Sequence, residues 1–403
     1  MNYKQHGDQF FPFPVVSDAV DVIAGLVPLG SIPIFPIPTP LGPIDNLRDA
    51  TAAVAGVYDS DATEESVFGE VTRRLGERFE LTAGGRYFHT VFVGDTLLRG
   101  LINVALVGSA ETRGHAVIVE RDFNPKFSIR YLHDENMQVY LLAAKGFQFG
   151  GVQLNPPTIA ITALGSERAG FAFVPFKSSK LWNYELGLRT EWLDRRLKFD
   201  VTFFYLDWTD LQLTQSVEFL PGGLPPEVAE NVPLSLALIG NVGAAHSEGV
   251  ELALQAEPFD GLSFSTSAAF ISALTDEVYE SPSGPIAPGA RLPGSPRFQL
   301  SNVVAYAHEL PFWGLAGAAS LAHTHTGSSF STLSQAFESD AYDTLDLRLA
   351  VQRPEGRFVP ELALNIVNLT NEFAVVEGFE SGRIKTYLFN RPRTALLTLG
   401  LRF

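Results

Sequence analysis

The chain has 403 residues, a net charge of −16, a pI near 4.9 and no cysteine. The acidic balance excludes a nucleic-acid binder, which needs a basic stripe against phosphate, and the missing thiols exclude disulfides and thiolate metal sites. Thirty-one phenylalanines against two methionines favour strands, and 35 glycines with 26 prolines imply many turns.

Residues 1–64 show no strand period and no secretory signal after Met1. The charge-free run Val22 to Ile44 has the length of a membrane helix. Pro28, Pro33, Pro36, Pro38, Pro40 and Pro43 each remove a backbone donor, so it is expected to be an extended Pro-rich loop or a disordered lead-in. Ser66 to Arg74 and Phe79 to Val91 then form a hairpin across Leu75-Gly76-Glu77-Arg78, followed by a loop of about thirty residues. Asp122 to Leu132 and Gln138 to Gly146 form a second hairpin across His133-Asp134-Glu135-Asn136. The alternation in its return strand does not assign a face. Residues 147–178 are rich in Gly, Pro and small side chains and are expected to be a loop.

Asn183 to Gln212 is the most regular stretch. Tyr184, Leu186 and Leu188 share one face, against Glu185, Gly187 and Arg189. After the turn Leu193-Asp194-Arg195-Arg196, Leu197, Phe199, Val201, Phe203 and Tyr205 oppose Lys198, Asp200 and Thr202. A soluble sheet could alternate in this way. Three features point to a bilayer instead. The strands are about the length that crosses at a tilt. Trp182, Tyr184 and Trp192 sit at the ends of the apolar band, as interfacial rings do. The turn is short on one side, and the next connection is long.

A loop at about 214–243 follows, then the hairpin Glu248 to Phe270 around Pro258-Phe259-Asp260-Gly261, then a loop at 276–292. Strands are expected near 296–307 and 314–326, at Leu345 to Val351, at Leu362 to Ile366, and from Ala395 to Phe403. The expectation is an all-β chain of about thirteen strands, an antiparallel up-and-down transmembrane β-barrel in part, with long loops on one side. No βαβ alternation appears.

Several strings together resemble TonB-dependent outer-membrane receptors: FNPKFSIRYL at 123–132, YLLAAKGFQFGG at 140–151, the hairpin at 183–212, SEGVELALQAEPFDGLSFS at 247–265, RLPGSPRF at 291–298 and NIVNLTNEF at 365–373. The closing LLTLGLRF, with Leu399, Leu401 and Phe403, resembles the terminal strand read by the barrel-assembly machinery. The likeness runs from about residue 65 to the end. It implies a barrel embedded in outer-membrane lipid that takes up a scarce ligand such as a ferric siderophore, driven by the TonB complex through a plug. Upstream of residue 65 nothing resembles a plug or energy-coupling box. The resemblance therefore implies the C-terminal part of a barrel of which the plug and first strands are absent. Strand parity then makes residues 1–64 an extracellular loop.

Candidate site residues follow. Arg189, Lys198, Asp200, Glu251, Asp346, Arg348, Glu361 and Arg402 fall on the polar face and are expected to line the lumen. Phe147, Phe149 and Phe173 lie in loops that could meet an aromatic ligand at the outer rim. His323 and His325 would share a strand face and are grouped with them as ligand-binding candidates; no third metal ligand is near. Ala245-His246-Ser247-Glu248-Gly249 is one Gly short of a nucleophile elbow and leads into a strand, not a helix, so no catalytic serine is expected. No P-loop, dinucleotide fingerprint or HExxH motif appears. No enzyme, metal or cofactor is expected. A passive porin-like or non-functional barrel remnant is the alternative to a coupled receptor, and a secreted β enzyme is a distant third.

Overall fold

The structure is a computed structural model. It describes residues 2–7, 55–99, 111–151, 175–219, 234–281, 284–311, 314–353, 359–381 and 384–402. Among these there are strands, turns and connections, and no helix. In chain order the strands are β1 (Asn2–Gly7), β2 (Ala55–Leu75), β3 (Phe79–Arg99), β4 (Glu111–Leu132), β5 (Met137–Gln148), β6 (Ser179–Trp192) and β7 (Leu197–Thr209). Then come β8 (Gln212–Phe219), β9 (Leu234–Asn241), β10 (Ala245–Phe259), β11 (Leu262–Thr275), β12 (Tyr279–Ser281) and β13 (Gly284–Ile286). The last are β14 (Phe298–Glu309), β15 (Ala316–Thr326), β16 (Tyr342–Gln352), β17 (Val359–Val367), β18 (Val375–Ser381), β19 (Ile384–Phe389) and β20 (Thr394–Arg402). Fourteen of them form one antiparallel sheet in sequence order, from β1 at one edge to β20 at the other. β8–β9, β12–β13 and β18–β19 are hairpins within the connections.

The register sorts the side chains. Directly paired residues point to the same side of a sheet. One row is Arg189, Asp200, Ala253, Ser267, Ser301, Thr324 and Thr344. A row on the other face is Leu186, Phe203, Val250, Phe270 and Phe298. The first face is polar and the second apolar from β2 to β20.

The apolar face is not covered by a second layer among the described residues. Phe127, Leu141, Phe203, Phe270, Leu362, Leu397 and Leu401 are all at least half exposed there, and Leu399 is 81% exposed. Leaving a large apolar side chain in water forfeits roughly 1.5–3 kcal/mol. Ten of them would forfeit more than the roughly 5–15 kcal/mol by which a folded domain is stable. This face is therefore built for hydrocarbon.

Aromatic rings mark its two borders. Toward the long connections, Trp182 stacks on Tyr184 (5.9 Å), Tyr184 meets Tyr205 (6.5 Å) and Tyr205 stacks on His246 (5.9 Å). Farther along, Phe270 meets Phe298 (4.7 Å) and Phe298 meets His325 (5.5 Å). Toward the short turns stand Phe79 with Tyr131 (5.0 Å), Tyr306 with His308 (6.0 Å), and Trp192. From Trp182 to Trp192 the strand covers roughly 33 Å at ~3.3 Å per residue. Tilted by about 40°, that is roughly 25 Å, the height of the apolar band of an outer-membrane barrel.

The structure departs from the sequence reading in three ways. The thirteen expected strands are all in the sheet, and β1 makes a fourteenth, paired with Tyr58 to Thr63 of β2. β2, β3 and β4 run to 21, 21 and 22 residues, so the loop expected after Val91 is largely strand. Above Lys126, β4 pairs with β3 and not with β5. That portion stands beyond the apolar band, where neither face needs to be apolar and a period of two has no cause. The loops expected at 214–243 and 276–292 carry short hairpins, and a third lies between β17 and β20. In β5, Leu141 and Ala143 take the apolar face, opposite Ile129 and Phe127, and Tyr140 and Leu142 take the polar one.

Candidate functional site

The middle of the polar face is organised by a glycine. Gly187 pairs with Tyr140 of β5 and with Thr202 of β7. A Cβ at Gly187 would lie 2.1 Å from the Tyr140 ring, so only glycine lets that ring lie flat across β6. The Tyr140 hydroxyl then reaches Glu185 Oε2 (3.1 Å) and Thr202 Oγ1 (3.3 Å). The Arg189 guanidinium sits 5.1 Å from the ring centre. Asn183 Nδ2 donates to the second Glu185 oxygen (2.7 Å). Together with Glu251 and Trp208 these residues line a cavity of about 640 Å³ that opens along the polar face. Arg189 and Asp200 are directly paired across β6 and β7, yet Arg189 forms no ion pair among the described residues.

Ion pairs brace the same face elsewhere. Lys198 lies 3.7 Å from Glu191 at the β6–β7 turn. Lys126 meets Glu70 (2.8 Å) and Arg130 meets Glu80 (2.7 Å) across β2 to β4. Arg348 pairs with Glu361 and donates to Asn365 Oδ1 (2.9 Å). Asp346 accepts the backbone N–H of Asn368 (2.8 Å). Arg402 is paired with Val359 in β17. Leu399 and Leu401 of the terminal strand stand on the apolar face; Phe403 lies outside the described residues.

Asn368 is a functional surprise of a structural kind. It is 1% exposed and has a φ of 52°. Its side chain donates to the carbonyls of Glu372 (2.8 Å) and Arg391 (2.9 Å) and accepts from Glu372 N–H (2.8 Å). The Asn368 side chain thus locks this turn.

At the end with long connections, the loops fold back over the polar face. Leu211, Val242, Ala273, Tyr279, Leu292 and Leu333 form a buried cluster there, with Trp208 and Ile271 against it. Burial pushes the Tyr279 hydroxyl up to about 12. Arg291, in the RLPGSPRF string, ties two of these loops together. It donates to the carbonyls of Ser295 (3.1 Å) and Ser328 (3.2 Å), lies 3.9 Å from Glu338, and stacks over Phe330 (5.1 Å).

Phe147 and Phe149 come together at the same end. Phe147 stacks on Phe88 (3.9 Å) and meets Phe149 edge-on (4.7 Å). Phe88, 1% exposed, was not singled out by the sequence. Beside this trio, Asp122 binds Lys145 (2.8 Å) and Lys180 (3.3 Å). Phe173 lies outside the described residues. The structure does not bring His323 and His325 to these phenylalanines. They pair with Asn302 and Leu300, which puts them on the apolar face, several strands away. Among the described residues no group of three His, Asp or Glu side chains is arranged to hold a metal ion. Tyr140, Arg291 and Asp122 escaped the sequence reading because each has at least one partner more than twenty residues along the chain.

The sequence matches the family described as TonB dependent receptor-like, beta-barrel, over residues 31–369. In fold the chain is similar to the ferric yersiniabactin uptake receptor FyuA from Yersinia pestis, with a TM-score of 0.66 and 19% identity over 88% of this chain and 48% of that one. It is similar to the siderophore receptor PiuA from Acinetobacter baumannii, with a TM-score of 0.57 and 16% identity over 85% of this chain and 43% of that one. It is also similar to the ferric-catecholate import receptor Fiu from K12 E. coli, with a TM-score of 0.54 and 18% identity over 86% of this chain and 45% of that one. The chain thus spans about half the length of each of these receptors. With its bare apolar face, its two aromatic borders and this match, the chain belongs to the TonB-dependent receptor family of the bacterial outer membrane and carries barrel strands of that family.

Proposed function

We propose that the chain is part of the wall of a receptor that takes a scarce ligand, such as a ferric siderophore, across the outer membrane. One observation carries this: the polar face lies under a built mouth while the apolar face lies bare. In this reading the polar face is the lumen wall. Arg189, Lys198, Asp200, Glu251, Asp346, Arg348 and Arg402 line the path. The upper end of β5 around Phe147, with Phe149 just beyond it, meets the ligand first and offers an aromatic surface beside Lys180. The cavity carboxylates Glu185 and Glu251 face the volume a plug would fill. Energy would come from the TonB complex through that plug. Leu399, Leu401 and Phe403 would be read by the assembly machinery. No covalent chemistry enters.

The test is uptake of radiolabelled iron, offered as siderophore complexes to iron-starved cells with and without the intact gene. The expected result is gene-dependent uptake that stops when the inner-membrane proton gradient is dissipated. Gradient-independent flux of small solutes through the purified chain in liposomes would instead establish a passive pore.

A further inference from the structure

The apolar face carries a slot at the short-turn border. Two rows of directly paired residues cross it. One is Tyr306, Ala319 and Leu349; the next toward the turns is His308, Gly317 and Val351. In both rows β15 sets a small residue between bulky neighbours on β14 and β16. Strands lie about 4.8 Å apart, so the depression is roughly 10 Å from wall to wall. Leu321, in the row above, closes it toward the middle of the band. Leu310 closes it at the turn, its Cδ2 3.3 Å from where a Cβ on Gly317 would stand. The space measures about 430 Å³, and Tyr306 and His308 bring the polar side-chain atoms that line it.

A cation stands beside the slot. The Arg353 N–H donates to the Pro360 carbonyl (3.1 Å), which carries the β16–β17 ladder one residue past the Gln352–Glu361 pair. Pro360 pairs with Leu401 of the apolar face, so Arg353 stands on that face, one row past Val351 and His308. Neither Arg353 nor His308 makes an ion pair among the described residues. Glu309, next to His308, alternates to the polar face. In a bilayer a lipid tail is as apolar as leucine, so the slot gains nothing from burial as such. It retains what fits it, because a flexible methylene chain lying in a groove has carbon neighbours on three sides and each contact adds a little dispersion energy. A guanidinium at the interface adds attraction for an anionic headgroup. We propose that the slot is a site for one acyl chain of an anionic phospholipid in the leaflet at the short-turn end, with the phosphodiester on Arg353 and His308. This needs only the outer-membrane setting and is independent of the uptake reading.

The full chain, purified in mild detergent and stripped of lipid, is titrated with phosphatidylglycerol and, separately, with phosphatidylethanolamine of the same acyl chains, and binding is read by native mass spectrometry. One phosphatidylglycerol per chain is expected to bind first, preferred by about fivefold, the value of one arginine near an anionic surface. Arg353→Gln should abolish that preference and leave phosphatidylethanolamine binding as it was. Ala319→Leu fills the slot and removes roughly ten carbon contacts to a bound chain, so both lipids should bind about fivefold or more weakly. Leucine suits this face, so heat-modifiable migration should persist. Equal affinity of the unaltered chain for the two lipids overturns the site. So does unchanged phosphatidylglycerol binding in Ala319→Leu, which would mark a contact with the flat wall. Conversion of a dimer to a monomer in Ala319→Leu would also overturn it, in favour of a second barrel.

Discussion

On one face of the sheet, Leu186, Phe203 and Phe270 stand in a row with nothing of the described chain over them. On the other, Trp208, Ile271 and Ala273 lie under loops that fold back from the mouth. In a soluble sandwich the assignment would be reversed, with apolar rows covered and polar rows wet. Alternation alone therefore says only that two environments differ. Which one is hydrocarbon is decided by where the rest of the chain goes. Among the described residues it goes to the polar side, and only at one end.

The sharpest way to break this comparison is to place one charge on each face. Leu186→Arg, in the middle of the apolar band, should cost about 2–4 kcal/mol of stability in lipid. Ser267→Arg, exposed in the polar row, should cost less than about 0.5 kcal/mol. Urea unfolding in phospholipid vesicles measures both. Equal costs would mean that the two faces meet the same medium.

The asymmetry that makes this test possible was legible in the residues before any coordinates. The turn Leu193 to Arg196 falls where the sequence places it, between β6 and β7, and so does His133 to Asn136, between β4 and β5. The first lies between two runs with an unambiguous period, and the second follows one. The upper parts of β2, β3 and β4 were not legible, because above the apolar band nothing selects one face. The site was legible as a list of polar positions but not as a geometry. Tyr140 is 45 residues from the Glu185 it binds, and Phe88 meets Phe147 through stacking that no local pattern encodes. The position of the histidines was hidden for a related reason. A spacing of two shows that they share a face, and only register with Leu300 and Asn302 shows which.

Within the polar side, two locks should separate strand stability from mouth stability. Asn368→Ala removes three hydrogen bonds and puts alanine at a φ of 52°. The expected loss is about 2–3 kcal/mol, seen as a lower melting temperature of the heat-modifiable band. Asn368→Gly relieves the backbone but not the bonds and should lose less. Arg291→Ala acts on the loops alone. It removes the donor to Ser295 and Ser328, worth about 1.5 kcal/mol of local opening. Hydrogen exchange at residues 327–341 should speed up by about tenfold, while β14 and β15 stay protected. Faster exchange in those strands would show that the mouth and the wall are one cooperative unit.

The smallest effect at neutral pH comes from Tyr279, and it tests whether the mouth is dry. Its hydroxyl is pushed from 10.0 up to about 12 by burial in the loop cluster. For an acid raised in the folded state, the neutral form is the one the fold prefers. The stability it contributes is whole below about pH 10, where the unfolded chain is also protonated, and it is lost as pH rises through 12. Tyr279→Phe should therefore leave stability at pH 7 within about 0.5 kcal/mol. In an alkaline titration followed by phenolate absorbance, the variant should lack one tyrosine from the component near pH 12. Should the missing tyrosine belong to the component near pH 10, the loops do not exclude water, and the polar side is open at both ends.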